Sequence, residues 1–255
     1  MVELKTPAEI VAMREAGRVV ARALAAVREA AGTGVSLLEL DAVAAQVMAE
    51  AGAKPSFLGY HPRWAPTPYP GVICASVNDA IVHGIPGRYR LRDGDLLSID
   101  CGAAVDGWHG DAAVSFVVGG ADPADLALIA ATEEALAAGI AAAQPGAKMG
   151  DISAAIGAVG RASGYGVTEG HGGHGIGHAM HEDPPVPNDG RPGRGLRLRP
   201  GLVLAIEPMF TRGGLDHYRH DPDGWTVRTT DGTRASHSEH TVAITEAGPV
   251  VLTLP

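Results

Sequence analysis

Two aspartates lie on either side of a turn signal, at a spacing that lets both hold one cation. Asp100 ends an apolar run, and the pair Asp106-Gly107 before Asp111 predicts a two-residue hairpin turn. In such a hairpin Asp111 faces Gly102, and the alternation of side chains puts Gly102 and Asp100 on one face. The two carboxylates are then diagonal neighbours, about 7 to 8 Å apart at the backbone. Two such anions repel unless a cation lies between them, so the hairpin predicts a metal site.

Four histidines follow in a glycine-rich stretch, residues 170–184. The glycines exclude a stable helix, so His174 and His181 cannot form a helical zinc-binding pair. Glycine instead lets the backbone approach a ligand closely, which favours a ligand-binding segment. A surface histidine cluster that binds metal adventitiously is the alternative.

Two glutamates complete the candidate ligands. Glu207 lies in an apolar run before Pro208, which holds it extended, and such a glutamate is almost never buried without a partner. Glu239 shares one strand face with Thr241 and Ala243. Taken singly, each glutamate is more commonly an edge-strand or salt-bridge residue, and each aspartate of the hairpin a solvent-facing or turn-capping one.

Considered together, the four carboxylates and a glycine-flanked histidine favour one site over separate explanations. Oxygen and imidazole ligands without thiolates suit Mn, Fe, Co or Zn in a bridged pair and do not select among them. Two ions about 3.5 to 4 Å apart can activate water and polarise a carbonyl group. The chemistry indicated is hydrolysis by a metal pair.

Paired helices between runs of strands must position these residues. Capping signals and apolar periodicity predict helices from Pro7 to near Gly32, over 36–52, 122–143 and 149–163. Strands are predicted over 72–77, 95–101, 108–118, 202–210, 225–230 and 236–245, with hairpin turns at Asp106-Gly107 and Asp231-Gly232. Segments 62–70 and 183–200 are predicted surface loops. This order favours an α+β fold over a parallel βαβ sheet.

The second half of the chain repeats the plan of the first. The shift that superposes Gly34 on Gly146 also superposes Gly52 on Gly164. Chance matches in a chain rich in alanine and glycine are the alternative, but the order of elements agrees as well. We expect one domain, residues 1–255, made of similar halves at 1–118 and 119–255.

Charge, cysteine count and hydropathy exclude several classes of protein. The net charge of −9, without a Lys/Arg run, argues against a nucleic-acid partner. Two cysteines cannot make a disulfide framework, which favours a reducing compartment. Neither a signal sequence nor an apolar run long enough for a membrane span is evident. We expect a cytoplasmic protein without a membrane or nucleic-acid partner.

Several short motifs resemble those of type I methionine aminopeptidases in order and spacing, over nearly the whole chain. They are Val82-His83-Gly84-Ile85-Pro86, Ser98-Ile99-Asp100, Gly110-Asp111, Gly173-His174-Gly175-Ile176-Gly177, Met180-His181-Glu182, Ile206-Glu207-Pro208-Met209 and Glu239-His240-Thr241. The resemblance implies the pita-bread fold, with pseudo-twofold halves and a curved antiparallel sheet flanked by helix pairs. It also implies removal of the initiator methionine from nascent proteins with a small second residue. The peptide N-terminus is then the substrate, for a monomer that meets the ribosome transiently.

The same resemblance implies two divalent ions, Co, Mn, Fe or Zn, held by five residues. Asp100 would bind one ion, Asp111 and Glu239 would bridge both, and the remaining ligands would be His174 and Glu207. Glu207 would also be the general base.

The substrate side of the site is implied in the same way. His181 would hydrogen-bond the scissile carbonyl or its oxyanion, and His83 would contact the substrate amine or peptide nitrogen and help proton transfer. The methionine pocket would include Phe57, Tyr60, Tyr69, Cys74, His83 and Trp225, with core packing as the alternative for each apolar member.

The sequence also departs from the family pattern. Phe57 and Met180 stand where many relatives carry a small or sulfur residue and a phenylalanine. His237 stands where glutamine is usual, and we expect it to contact the ligands without binding metal, with exposure as the alternative. Insertions at 63–68 and 215–222 are expected to border the substrate cleft.

Two rival functions fit part of the pattern. An X-Pro aminopeptidase or prolidase shares the implied fold, but those relatives carry a sizeable N-terminal domain and a third histidine in the substrate site. A non-catalytic pita-bread binding protein would usually have lost metal ligands, whereas all five are present here.

Overall fold

Four α-helices are found in residues 2–255, the part of the chain that the computed structural model describes. They are α1 (Pro7–Ala30), α2 (Leu37–Glu50), α3 (Pro123–Ala142) and α4 (Met149–Ala162), as predicted. The side chains of Thr6 and Ser36 accept hydrogen bonds from amides in the first turns of α1 and α2, in reciprocal capping boxes, of which the sequence indicated the one at Ser36. None of the helices in this range is long and apolar enough to cross a membrane.

Fifteen β-strands lie in the same residues. They are β1 (Lys54–Pro55), β2 (Ile73–Val77), β3 (Ala80–Val82), β4 (Leu96–Val105), β5 (Trp108–Val117), β6 (Gly166–Val167), β7 (Gly172–Gly175), β8 (Glu182–Pro187), β9 (Val203–Ile206), β10 (Met209–Thr211), β11 (Tyr218–His220), β12 (Val227–Thr229), β13 (Ala235–His237), β14 (Glu239–Thr245) and β15 (Gly248–Val251).

The central sheet has nine strands, in the order β1-β4-β5-β14-β9-β7-β8, with β2 added to β4 and β15 added to β14. Two three-stranded sheets, β13-β10-β6 and β11-β12-β3, accompany it. Every strand pair between residues 2 and 255 is antiparallel. The α+β prediction is therefore confirmed, because a βαβ architecture would pair its strands in parallel.

Each helix pair covers its own part of the sheet. Helices α1 and α2 bury Val20, Leu40 and Met48 in a cluster with Ile99 of β4. Helices α3 and α4 bury another cluster with side chains of β9, β10 and β14, including Leu128, Ile152, Leu204, Phe210 and Val242. Burial of these side chains holds the helices on the sheet. The exact division into halves at 1–118 and 119–255 stays a prediction.

Helix α1 lies directly on β5 through two glycines. A Cβ atom on Gly110 would be 2.8 Å from the backbone nitrogen of Gly17, and a Cβ on Gly17 would be 2.3 Å from the carbonyl oxygen of Leu252. No side chain fits at either position, so glycine is required for this close approach. The contact fixes the strand that carries Asp111.

Two strands predicted as continuous are interrupted. The 202–210 strand divides into β9 and β10 at Glu207-Pro208, because proline cannot donate a hydrogen bond to the sheet. The 236–245 strand divides into β13 and β14 at Ser238, and the two pieces pair in different sheets. Both breaks lie beside candidate ligands.

Two other predictions were wrong. The 183–200 segment is not wholly a surface loop, because β8 pairs with β7 there and Val186 is buried. Asp231-Gly232 does not close a hairpin, since β12 pairs with β3 and β11 whereas β13 pairs with β10. In both cases long-range pairing overrode the local turn signal.

Candidate metal centre

The aspartate hairpin forms in the predicted register. Val105 pairs with Trp108 and Gly102 with Asp111, across a turn whose residues Asp106 and Gly107 both have positive φ. Such a turn matches the twist of the flanking strands. The face shared by Gly102 and Asp111 is also that of Asp100, so both carboxylates point to the same side of the sheet.

Strand β14 brings the carboxylate of Glu239 beside those of Asp100 and Asp111. It lies between β5 and β9, and Ala113 of β5 pairs with Asp100 on one side and with Glu239 on the other. Directly paired residues project to the same face of a sheet, so Asp100 and Glu239 flank the small side chain of Ala113. The space above that alanine is therefore open to both carboxylates.

His174 and Glu207 approach from β7 and from the break after β9. His174 pairs with Ala205. The backbone carbonyl of Glu207 accepts a hydrogen bond of 2.9 Å from the buried side-chain amide of Asn188. The Nδ1 atom of His174 lies 2.9 Å from the carbonyl oxygen of Gly175. A hydrogen bond there fixes the tautomer and leaves Nε2 free to bind a metal ion.

The facing atoms of these residues are farther apart than the usual distance of a hydrogen bond. His174 Nε2 lies 3.6 Å from Glu207 Oε1 and 3.9 Å from Asp111 Oδ2. His237 Nε2 lies 3.5 Å from Glu207 Oε2 and 3.9 Å from Glu239 Oε2. Atoms at this spacing can bind a common ion, whereas a direct N–H···O bond would bring them to about 2.9 Å.

Burial dominates the electrostatics of the centre. It raises the pKa of Asp111 to about 7, and it raises the pKa of Asp100, Glu207 and Glu239 well above their usual range. The charge of Asp111 adds to the effect of burial on those three carboxyl groups. Burial lowers the pKa of His174 to about 4, so its imidazole is neutral near pH 7.

Several buried polar atoms here have no hydrogen-bond partner within residues 2–255. They are Asp100 Oδ1, Asp111 Oδ1, Glu239 Oε1 and His237 Nε2. Buried polar groups are normally satisfied, and unsatisfied ones are costly. Divalent cations would bind these atoms and neutralise the carboxylates, so the residues present fit divalent metal binding.

The carboxylates line one wall of a cavity of about 400 Å³. Its lining includes every residue proposed from the sequence for the metal ligands and the substrate: Phe57, Tyr60, Tyr69, Cys74, His83, Asp100, Asp111, His174, His181, Glu207, Trp225 and Glu239. Cys74 and Cys101 are both free, buried thiols. The structure thus brings together residues that lie far apart in the sequence.

His83 and His181 project into the cavity beside the carboxylates. The ring of His181 lies 4.1 Å from that of His174 and stacks on Tyr60 at 5.1 Å. His83 has a left-handed backbone, with φ of 58°, and its Nδ1 has no hydrogen-bond partner in the described chain. Burial lowers the pKa of both rings to about 3. Both imidazoles are therefore neutral near pH 7.

Sequence reasoning missed Trp64, His171 and Met209 in the cavity lining. Trp64 belongs to the 63–68 insertion, which borders the cavity as expected. Its 6.3 Å stacking against His83 places an exposed tryptophan at the entrance. The 215–222 insertion reaches the site indirectly, since Tyr218 packs on His171 at 4.6 Å. An exposed tryptophan in a proline-rich loop was the available signal.

His237 is buried, with 2% of its surface exposed, and it faces Glu207 and Glu239. Exposure to solvent, one of the two expectations for this residue, is therefore wrong. Burial lowers the pKa of its ring to about 3.

Comparison with known proteins gives a consistent result. Residues 11–246 match metallopeptidase family M24. Methionine aminopeptidase 1 of Mycobacterium tuberculosis is 52% identical, over 100% of this chain and 96% of that protein. Methionine aminopeptidase 1 of Bacillus subtilis is 44% identical, over 99% of each.

Solved structures agree with the sequence comparison. The crystal structure of methionine aminopeptidase from Thermotoga maritima superposes with a TM-score of 0.95, at 39% identity over 100% of both chains. The prolidase from Pyrococcus furiosus superposes with a TM-score of 0.79 at 24% identity, over 99% of this chain and 65% of that one. The second likeness is one of fold alone.

Proposed function

This chain belongs to metallopeptidase family M24, among its methionine aminopeptidases, and from that premise we propose that it removes N-terminal methionine by hydrolysis at two divalent ions. The observation that carries the proposal is that four carboxylates, three of them on buried residues, and an imidazole meet an aromatic pocket in one cavity. The proposed substrate is the N-terminus of a nascent protein with a small second residue. The proposal includes a cytoplasmic monomer that associates transiently with the ribosome, and this part rests on the family alone.

Five residues are proposed to hold the ions. Asp100 would hold one ion, His174 and Glu207 would hold the other, and Asp111 and Glu239 would be shared between them. Two groups of potential ligand atoms, each within 4.8 Å of one another, support a shared role for Glu239. They are Asp111 with His174 and Glu239, and Glu207 with His237 and Glu239. Oxygen and imidazole donors suit Co, Mn, Fe or Zn, and all four stay candidates.

When bound, the ions supply a water that is nucleophilic at neutral pH and polarise the scissile carbonyl. Glu207 takes a proton from the attacking water, as a general base must do. The charge of the ions would keep the buried Glu207 carboxyl ionised, as a proton acceptor must be.

Two neutral histidines act on the substrate. His181 donates a hydrogen bond to the carbonyl oxygen as negative charge develops there, which stabilises the transition state more than the ground state. His83 contacts the substrate amine or peptide nitrogen and helps to transfer a proton to it. Because neither ring is charged near pH 7, neither repels the ions.

The methionine side chain is proposed to enter the aromatic part of the cavity. Tyr69 packs edge-on against Trp225 at 5.0 Å and against Phe57 at 6.4 Å. Cys74 and Met180 add sulfur atoms to the same cluster. Such a pocket buries an unbranched thioether and makes favourable sulfur–aromatic contacts.

A comparison of two tripeptides tests the proposal. The metal-loaded enzyme should cleave Met-Ala-Ser and leave Ala-Pro-Ala largely intact. A preference for Ala-Pro-Ala would instead indicate an X-Pro peptidase. Failure to cleave either peptide, with both ions bound, would favour a binding protein.

A further inference from the structure

His237 and His174 face different oxygen atoms of the Glu207 carboxylate. Its Nε2 lies 3.5 Å from Glu207 Oε2, and the Nε2 of His174 lies 3.6 Å from Glu207 Oε1. The two imidazoles therefore flank one carboxylate, each facing a different oxygen. His237 Nε2 also lies 3.9 Å from Glu239 Oε2, just as His174 Nε2 lies 3.9 Å from Asp111 Oδ2.

These separations are those of atoms that bind one ion. Two ligand atoms about 2.1 Å from a metal, at a tetrahedral angle, are about 3.4 Å apart. A hydrogen bond from the imidazole to Glu207 would shorten the separation to about 2.9 Å. The Nε2 of His237 is buried and makes no hydrogen bond within the described residues. It thus has the spacing of a co-ligand and no other partner there.

The backbone holds His237 in this position. Its amide donates to the hydroxyl oxygen of Ser115 at 3.1 Å, and that hydroxyl donates to its carbonyl oxygen at 2.7 Å. Ser115 contacts Ser98 of β4 at 2.7 Å, so the link continues to the strand that carries Asp100. In addition, His237 pairs with Met209, two residues after Glu207. The backbone of His237 is therefore held against β5, which carries Asp111, and beside the break between β9 and β10 that carries Glu207.

We propose that His237 is a sixth protein ligand of the metal pair and binds, through Nε2, the ion held by Glu207 and Glu239. The inference rests on the proposed two-metal site and extends it. It replaces the expectation that this residue only contacts the ligands. The pair would then have an imidazole on each side of Glu207, instead of one.

Proton NMR of the cobalt-loaded protein tests the assignment, because ring protons of histidines bound to Co²⁺ are strongly shifted. We expect two sets of shifted ring signals. His174→Gln should remove one set and His237→Gln the other. His240→Gln is the matched control, since His240 is on the adjoining strand but its Nδ1 contacts Thr253 at 2.8 Å. Both sets should persist in that variant.

Each outcome separates the inference from the site on which it rests. A single set, removed by His174→Gln and kept in His237→Gln, would overturn the role of His237 and leave the metal site intact. If His174→Gln also removed nothing, the proposed metal site itself would be wrong. X-ray absorption of the zinc-loaded natural chain needs no variant. It should count an average of one imidazole per zinc, and one for every two ions would contradict the proposal.

Discussion

The hydroxyl of Thr241 accepts a hydrogen bond of 2.9 Å from the amide of Asp111 and donates one of 2.8 Å to the carbonyl of the same residue. One buried side chain thus satisfies both backbone groups of a proposed bridging ligand. Thr241 is on β14, two residues after Glu239. The hydroxyl therefore fixes the separation between the strands of the two proposed bridging carboxylates.

Replacing Thr241 by valine should weaken the contact between β14 and β5 and so destabilise the metal site. The side chain keeps its shape, but a buried N–H and a buried C=O lose their partner, at about 1–3 kcal/mol each. Urea unfolding of the metal-free chain should show the loss, and calorimetry should show weaker Co²⁺ binding. Thr245→Val, at the partly exposed end of the same strand, is the control. Similar losses in both variants would contradict a specific role for Thr241.

Asp111→Asn should abolish hydrolysis of Met-Ala-Ser while leaving the chain folded. The change removes one buried negative charge without altering side-chain size, so the metal-free fold loses repulsion rather than packing. Elemental analysis should find fewer than two ions per chain. The control is Asp106→Asn, because asparagine tolerates the positive φ of that exposed turn position. Unchanged turnover in Asp111→Asn would refute the site.

Metal binding should stabilise the enzyme more at high pH than at low pH. The pKa of Asp111, raised to about 7, exceeds the unfolded value of about 4, so the stability from this carboxyl is present below about 4 and lost through about 7. A metal ion replaces the proton, whereas His174, with a pKa of about 4, is already neutral.

Thermal unfolding with and without Mn²⁺, at about pH 5.5 and about pH 8, measures the effect. The increase in Tm on adding metal should be larger at the higher pH, because fewer protons compete for the carboxylates. In Asp111→Asn the difference between the two increases should shrink. Equal increases at both pH values in the natural chain would contradict the prediction.

His181→Ala should lower kcat far more than it weakens metal binding. Loss of one donor to a developing oxyanion typically costs about 10²–10³-fold in kcat. Kinetics on Met-Ala-Ser and Co²⁺ titration separate the two effects. His178→Ala is the matched control, since that exposed ring contacts the carbonyl of Gly107 outside the cavity. Equal loss of metal and activity in His181→Ala would make His181 a ligand.

Gly173→Ala should destabilise the fold and displace His174. A Cβ there would lie 2.0 Å from the carbonyl oxygen of Ala205, so β7 would have to move away from β9. We expect a lower Tm and weaker metal binding. Gly32→Ala should change neither by much, because a Cβ at Gly32 meets no atom of residues 2–255 within 4 Å. Normal metal binding in Gly173→Ala would show that the strands adapt.

Sequence reasoning succeeded where local chemistry determines structure. The capping box of Ser36 set the start of α2, and the Asp106-Gly107 turn set the register that faces Asp111 with Gly102. In each case residues a few positions apart fix the geometry. The spacing of the motifs then indicated the remaining ligands through family resemblance.

Structure was predicted less well where contacts between residues distant in the sequence determine strand pairing and burial. The run around Glu207 has the pattern of one strand, but β9 and β10 pair in different sheets on either side of Pro208. The position of His237 facing the ligands agrees with the preferred expectation, but no local signal excluded exposure, because its burial depends on packing beside Glu207 and Ser115. Neither outcome is encoded in a window of neighbouring residues.

The position of β14 between β5 and β9 also constrains how this protein is made. Both neighbours are synthesised earlier, so until residues 239–245 leave the ribosome each presents an unpaired edge that invites association with other chains. Asp100 and Asp111 likewise precede Glu239 by more than half the chain. Activity thus depends on the synthesis of β14, and a nascent chain halted before this strand is expected to be inactive and prone to aggregate.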